Sequence, residues 1–157
     1  MLEVGHIEGP LNFTEGRSHF GAWCIVSSPL TLGFDVTNPT LMKEVWPIIS
    51  NTEAIAVSQS WHNHPGRLVA SMPAGAHDAD IQWEAWAKPQ ANGAMAVLLV
   101  SNSVSDVTAS ISFSGIGLSG TVSVRDIWER KDAGTATGSF SAKLSTHDSS
   151  FVLLTPQ

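Results

Sequence analysis

Residues 30–36 read LTLGFDV, an apolar run with the length and composition of a β-strand covered on both faces. Pro29 stands directly before this run. It ends the preceding segment, residues 13–27, in which apolar side chains recur at helical spacing. A shorter apolar run at residues 1–5, MLEVG, predicts a first strand ahead of that helix. The order is therefore strand, helix, strand.

Further helix signals lie on either side of this second strand. Thr14 is predicted as the N-cap of the first helix. Asn38 followed by Pro39 is a typical start of a second helix. Residues 54–57, AIAV, follow a capping-box pattern and fit either a short strand or a short helix. Residues 1–62 are therefore predicted as a βαβα segment of the α/β class.

From residue 67 onward, the pattern changes to short alternating runs separated by turn residues. Residues 81–87, IQWEAWA, alternate apolar and polar side chains, and residues 94–100, AMAVLLV, are apolar throughout. About six or seven such runs at turn-marked intervals are typical of an all-β antiparallel sandwich. The loop at residues 61–66 therefore separates two predicted domains, residues 1–62 and residues 67–157.

Two βα units are too few to close an α/β fold. A (β/α)8 barrel takes about 200 residues or more, and an open doubly wound sheet needs several more strands. Parallel strands are normally covered on both faces, and residues 30–36 would lack strand neighbours on at least one side. We therefore expect residues 1–62 to belong to a larger α/β domain, completed by further chain or by a partner.

The composition excludes several classes of partner and site. The 157 residues carry 8 Lys and Arg against 14 Asp and Glu, a formal charge of −6, and no basic cluster that would attract nucleic acid or anionic lipid. No apolar run reaches the roughly 20 residues of a membrane-spanning helix, and the first residues do not have the pattern of a secretory leader. The single Cys24 excludes an internal disulfide and a thiolate zinc site. We therefore expect neither nucleic acid nor a membrane as partner.

Four motifs point to a family: MLEVG at residues 1–5, TEGRSHFGAW at residues 14–23, NTEAIAVSQ at residues 51–59 and VRDIW at residues 124–128. Together they resemble the α-galactosidases of glycoside hydrolase family 27. The corresponding family patterns are M-L-x-V-G-N, T-x-x-E-x-R-x-H-F-x-x-W, N-K-E-V-I-A-V-N-Q and V-R-D-L-W. The resemblance extends nearly from end to end of the chain and is most specific in its N-terminal part.

The resemblance implies a fold and an activity. In that family, this stretch forms the seventh and eighth strands of a (β/α)8 barrel with their helices, followed by a C-terminal β-domain. Residues 1–62 would then be the last two βα units of the barrel, and residues 67–157 the antiparallel sandwich. The implied activity is hydrolysis of terminal α-D-galactosides through a covalent glycosyl-enzyme.

The family's two catalytic residues are not expected in this chain. The nucleophile is an Asp in a Y-x-K-x-D motif on the fourth barrel strand, and the acid/base is an Asp after the sixth. The chain contains no tyrosine, so that motif does not occur in it. Retaining glycosidases need two carboxyl groups about 5 Å apart, so we expect this fragment to be inactive alone. Two alternatives remain: a non-catalytic carbohydrate-binding or interaction module, and a pseudoenzyme subunit that completes another chain's barrel.

Three residues are candidates for contact with a galactoside. Met1 matches a family position close to the sugar. Asp35 ends a barrel-type strand, at the face where barrels hold their sites, although capping of its own turn is the simpler interpretation. Trp86 lies opposite the core face of residues 81–87, where it would stack on a sugar ring or contact the rest of the barrel. Phe34 stands where the family has Asn, which leaves the preferred sugar open.

No metal or cofactor is expected. His62 and His64 lack a third ligand, and HDAD at residues 77–80 lacks the Gly and Glu of a calcium loop. The expected partners are an α-galactoside and either the missing barrel portion or a second copy of the chain. NFT at residues 12–14 is a glycosylation sequon, which matters if the parent is secreted. The resembled family is often secreted or lysosomal, and the sequence leaves the compartment open.

Overall fold

The computed structural model describes residues 1–6, 9–74 and 80–157. In this part of the chain, three α-helices precede eight β-strands. The helices are α1 (Phe13–Ile25), α2 (Pro39–Ile49) and α3 (Thr52–Gln59). The strands are β1 (Arg67–Met72), β2 (Trp83–Pro89), β3 (Met95–Ser101), β4 (Val107–Ser112), β5 (Thr121–Asp126), β6 (Lys131–Thr137), β7 (Ser139–Leu144) and β8 (Ser149–Pro156). None of the described helices combines the length and hydropathy needed to cross a membrane.

Six strands form one antiparallel sheet in the order β1-β2-β3-β8-β5-β6. The other two, β4 and β7, pair antiparallel in a smaller sheet that shares a hydrophobic cluster with the larger one. This arrangement confirms the predicted antiparallel β-sandwich. The sequence does not predict β6, because its residues KDAGTAT are almost all polar or small and lie at an exposed edge of the sheet.

The large sheet buries apolar side chains on both faces. Alternation along β3 sends Val97 and Leu99 to one face and Ala96 and Leu98 to the other, and all four are fully buried. The first face packs on β4 and β7, and the predicted core residue Trp83 lies there. The second face packs on the three helices. The helix-side cluster also contains Leu2, Val4, Phe20, Cys24, Ile25, Val45, Ile48, Ala54, Val57, Ile127 and Phe151.

The two N-terminal strands are shorter than expected. They meet in a single parallel bridge between Leu2 and Leu32, where the Leu2 N–H donates to the Thr31 carbonyl at 2.8 Å. Leu2 is buried, but Leu32 is 37% exposed. The prediction that residues 30–36 form a buried strand is therefore wrong. Leu32 and Val36 stay exposed because no layer of the described residues covers this side of the segment.

Asparagine side chains begin all three described helices, at Asn12, Asn38 and Asn51. Asn12, and not the predicted Thr14, caps α1. Its Oδ1 accepts the Glu15 N–H at 3.0 Å, and the Glu15 carboxylate accepts the Asn12 N–H at 3.0 Å. Asn38 caps α2 as predicted. The run that the sequence left open between strand and helix lies inside α3.

Lys88, on the helix side of β2, is fully buried and joins the sheet to the ends of two helices. Its Nζ donates to Ser27 Oγ at 2.6 Å, to Ser58 O at 3.3 Å and to Val57 O. Ser27 Oγ donates in turn to Ser58 O at 3.1 Å. Both carbonyls lie in the last turn of α3, where unpaired acceptors and the helix dipole favour a cation. Burial lowers the pKa of Lys88.

Replacing Lys88 by methionine removes the cation and leaves its acceptor carbonyls buried. Because an unsatisfied buried polar group costs about 1–3 kcal/mol, we expect Lys88→Met to lower the free energy of unfolding by about 2 kcal/mol or more. Lys43→Met, at an exposed position of α2, is the control and should change it by less than about 0.5 kcal/mol. Urea denaturation followed by tryptophan fluorescence measures both. Equal stability of Lys88→Met and the wild type would contradict this role.

Cys24 reports on the packing of α1 against the sheet. It is fully buried, and burial raises the pKa of its thiol to about 12. Since the thiolate is the reactive form, we expect Cys24 to resist Ellman's reagent at about pH 8 in the native protein and to react after denaturation. Labelling of the native protein as fast as that of the denatured chain would contradict the packing described.

Candidate functional site

The three candidate substrate residues do not come together in the structure. Met1 is exposed and lies beside Gly33, next to the bridge between Leu2 and Leu32. Asp35 follows on the same segment. Trp86 lies on β2 and faces α1. These residues occupy two separate regions of the molecule and therefore do not form one common site. Contact of each of them with a substrate stays a prediction.

Asp35 caps the turn that follows it. Its Oδ1 accepts the Thr37 N–H at 2.9 Å and the Thr37 hydroxyl at 2.6 Å. These hydrogen bonds lower the pKa of the exposed Asp35 carboxyl, the side-chain bond from Thr37 contributing most. An exposed carboxylate with a lowered pKa is ionised at neutral pH and is unsuited to donate a proton. The geometry fits the simpler of the two interpretations, a cap for its own turn.

Phe34, which departs from the family pattern, is half-buried and packs on Gly5. Gly5 has a φ of +82°, and a Cβ there would lie 2.8 Å from the Phe34 ring. The ring therefore occupies the space that a side chain at position 5 would need. This contact links the end of the first apolar run to the second.

Trp86 lines a groove of about 460 Å³ between α1 and strands β2 and β3, called here the α1 groove. Its Nε1 donates to Glu84 Oε2 at 3.2 Å, and Asn102 also lines the groove. On the opposite wall, Trp23 lies beside His19, with 5.8 Å between ring centroids. Aromatic rings beside carboxylate and amide groups form a surface on which a sugar ring can stack and make hydrogen bonds.

His19 holds the N-terminal segment onto α1. Its Nε2 accepts the Glu3 N–H at 3.1 Å, which requires that nitrogen to be unprotonated. Burial lowers the pKa of His19, in agreement with a neutral ring. Its role in this geometry is positioning.

The family-like motif at residues 51–59 contacts the one at residues 124–128. The Asn51 side chain caps α3 through Oδ1, and its Nδ2 donates to the Ile127 carbonyl at 2.9 Å. Glu53 receives two hydrogen bonds from Arg125, at 2.8 and 3.2 Å. These bonds, with a further one to Asp132, raise the pKa of Arg125. The sequence shows both motifs without showing that they touch.

The motif at residues 14–23 contacts the same part of the sandwich. Arg17 pairs with Asp148 at 2.8 Å, and its guanidinium lies over the Trp128 ring, 5.7 Å from the centroid. Ser18 Oγ donates to the carbonyl of His147 at 2.7 Å. At Gly21, a Cβ would lie 2.8 Å from Trp128 Cζ2, so glycine permits the close approach. These motif residues therefore form the interface between helices and sheet.

His62 and His64, considered as metal ligands, have no third ligand grouped with them among the described residues. Within the described ranges, no three His, Cys, Asp or Glu side chains are grouped closely enough to hold a metal ion. His64 Nδ1 is paired with the Pro65 carbonyl at 2.6 Å. The acidic turn considered at residues 77–80 lies outside the described residues except for Asp80.

Comparison with known sequences identifies the C-terminal half. Residues 80–154 match the alpha galactosidase C-terminal beta sandwich domain. The whole chain is 38% identical over 160 residues to alpha-galactosidase 3 of Arabidopsis thaliana and covers 35% of that protein. It is 36% identical over 158 residues to an alpha-galactosidase of Oryza sativa, with 99% of this chain and 35% of the relative covered. The chain thus spans about a third of the length of these relatives.

Solved structures show the same fold. An alpha-galactosidase from Saccharomyces cerevisiae, solved with raffinose, superposes with a TM-score of 0.83 at 20% identity and covers 99% of this chain and 46% of its own. Alpha-galactosidase I from Mortierella vinacea gives a TM-score of 0.79 at 24% identity, covering 96% of this chain and 38% of its own. The motifs, the sandwich domain and the relatives agree. Residues 80–154 thus match the C-terminal β-sandwich domain of the α-galactosidases, and the whole chain is similar to the C-terminal part of these enzymes.

Proposed function

We propose that residues 1–62 are the last two βα units of a (β/α)8 glycosidase barrel and that residues 67–157 are its C-terminal β-sandwich. The observation that carries the proposal is the parallel bridge between Leu2 and Leu32, connected by α1. Two parallel strands joined by a crossover helix are the repeating unit of such a barrel. Leu2, one of the two bridged residues, belongs to the hydrophobic cluster in which the helices pack on the large sheet.

Exposed apolar side chains next to this bridge support the proposal. Met1, Leu32 and Val36 are apolar and exposed on the bridged segments. Parallel strands are normally covered on both faces, and in a closed barrel the inner face is covered by the strands across the interior. The remaining barrel strands would supply that cover. Without them, the exposed side favours association with a second copy of the chain.

The proposed activity of the completed protein is hydrolysis of terminal α-D-galactosides with retention. Such a reaction needs one ionised and one protonated carboxyl group about 5 Å apart, one forming the glycosyl-enzyme and the other protonating the leaving group. We place both on the barrel portion outside this chain. Asp35, engaged by Thr37 and held ionised, is not suited to replace the acid. The chain alone is therefore proposed to be inactive.

A chimera tests this assignment. We expect the purified chain to release no chromophore from a chromogenic α-galactoside. Joined at Met1 to the segment of the Oryza sativa relative that precedes the matched region, it should turn the substrate over, because the barrel would then be complete.

The rice segment without this chain is the control and should remain inactive. Turnover by the isolated chain above background would contradict its proposed inactivity. A chimera that is soluble and cooperatively folded but inactive would contradict the proposed completion of the barrel.

A second candidate function is a non-catalytic carbohydrate-binding or interaction module. The α1 groove favours it, since Trp86, Trp23 and Glu84 line one concave surface. A sugar ring stacked on Trp86 would receive or donate hydrogen bonds at Glu84 and Asn102. In the completed barrel, the same groove would instead contact the remaining barrel portion.

Substitution of Trp86 distinguishes the module. If the chain binds methyl α-galactoside in this groove, Trp86→Ala should weaken binding about tenfold or more, because loss of about 1.4 kcal/mol of stacking is a tenfold change. Trp61→Ala is the control, since Trp61 is 63% exposed and is not among the residues that line the groove. Calorimetry measures both. Affinity unchanged by Trp86→Ala would exclude Trp86 as the stacking residue.

A further inference from the structure

The side-chain nitrogen of Asn12 donates no hydrogen bond to any residue that the structure describes. Asn12 is exposed, and its capping of α1 uses Oδ1 and the main-chain N–H, both bonded to Glu15 at 3.0 Å. No hydrogen bond from Nδ2 is found among the described residues. Within the described part of the chain, Nδ2 is thus not engaged as a donor, while Oδ1 accepts the capping hydrogen bond.

Asn12 begins an Asn-Phe-Thr sequence, residues 12–14. It is the only Asn-x-Ser/Thr in the 157 residues with a middle residue other than proline. The related triplet at Asn38 has Pro39 in the middle, which blocks modification. The remaining asparagines have neither serine nor threonine two residues later. The chain therefore offers one acceptor with the required pattern.

We propose that Asn12 is an N-glycosylation site, used when the chain passes through a secretory pathway, with a polyprenyl-diphosphate-linked oligosaccharide as the sugar donor. Nδ2 attacks the anomeric carbon of the donor. The bond from that carbon to the diphosphate oxygen breaks, Nδ2 loses one proton, and the polyprenyl diphosphate leaves with the electron pair. The Thr14 hydroxyl completes the acceptor sequence.

The fold tolerates this modification. A glycosylated asparagine keeps its carbonyl oxygen, so the Oδ1 bond to the Glu15 N–H survives and α1 stays capped. Asn12 is exposed at the start of α1, so an attached glycan has access to solvent there. Asn12 is therefore compatible with the attached sugar in the folded protein.

The surroundings give the glycan a surface to cover. Phe13, the next residue, is 54% exposed. Beside it lies an apolar groove of about 430 Å³ between α1 and α2, lined by Pro10, Leu11 and Leu41. A bulky, hydrated sugar here would shield this apolar surface from association.

Secretion of the full chain from a eukaryotic host, behind a heterologous leader, tests the site. We expect the secreted protein to carry one N-glycan that peptide N-glycosidase removes. The enzyme converts the modified Asn12 to Asp, which tandem mass spectrometry in heavy-oxygen water locates.

Three variants separate glycosylation from capping. Asn12→Asp keeps an N-cap oxygen and should be secreted folded without the glycan, and Thr14→Ala should also lose it. Thr14→Ser should retain it. A secreted wild type without the glycan, or an Asn12→Asp variant that still carries it, would overturn the proposal.

Discussion

The large sheet has to be covered on both faces, and the rest of the architecture follows from that requirement. β3 runs through the middle of the sheet with Val97 and Leu99 on one side and Ala96 and Leu98 on the other. The small sheet of β4 and β7 covers the first side. The helices α1 to α3 cover the second. The helices, although predicted as part of another domain, therefore share a hydrophobic cluster with the sandwich sheet.

Hydrogen bonds decide where the helices lie on this sheet. Apolar burial is not directional, whereas a buried donor has to reach its acceptor. Lys88 reaches the carbonyls at the end of α3, and Asn51 at its start reaches the carbonyl of Ile127. Arg125 donates two hydrogen bonds to Glu53, in the first turn of α3. Both ends of α3 are thus fixed to the sheet by groups whose removal leaves unpaired polar atoms.

The motifs that identify the family make structural contacts in this chain. Arg17 and Gly21 contact Trp128, and Glu53 contacts Arg125. In this chain, the residues that carry the resemblance are held by packing between the helices and the sheet. The chemistry of glycoside hydrolysis depends instead on a pair of carboxyl groups with opposite protonation states. Asp35, the acidic residue at the end of the second apolar run, is engaged in its own turn.

The sequence by itself determined the family, the antiparallel sandwich and the two faces of β2, because alternation places Trp83 and Trp86 on opposite sides whatever the partners are. It also placed the α2 cap at Asn38, since that signal is local. Only the tertiary structure decided that residues 30–36 form a single β-bridge and that motifs far apart in the sequence contact one another. Contacts such as Arg17 with Asp148 join residues far apart in the chain. Local periodicity reports which side of an element is apolar, but the neighbour that covers it is fixed only when the chain folds.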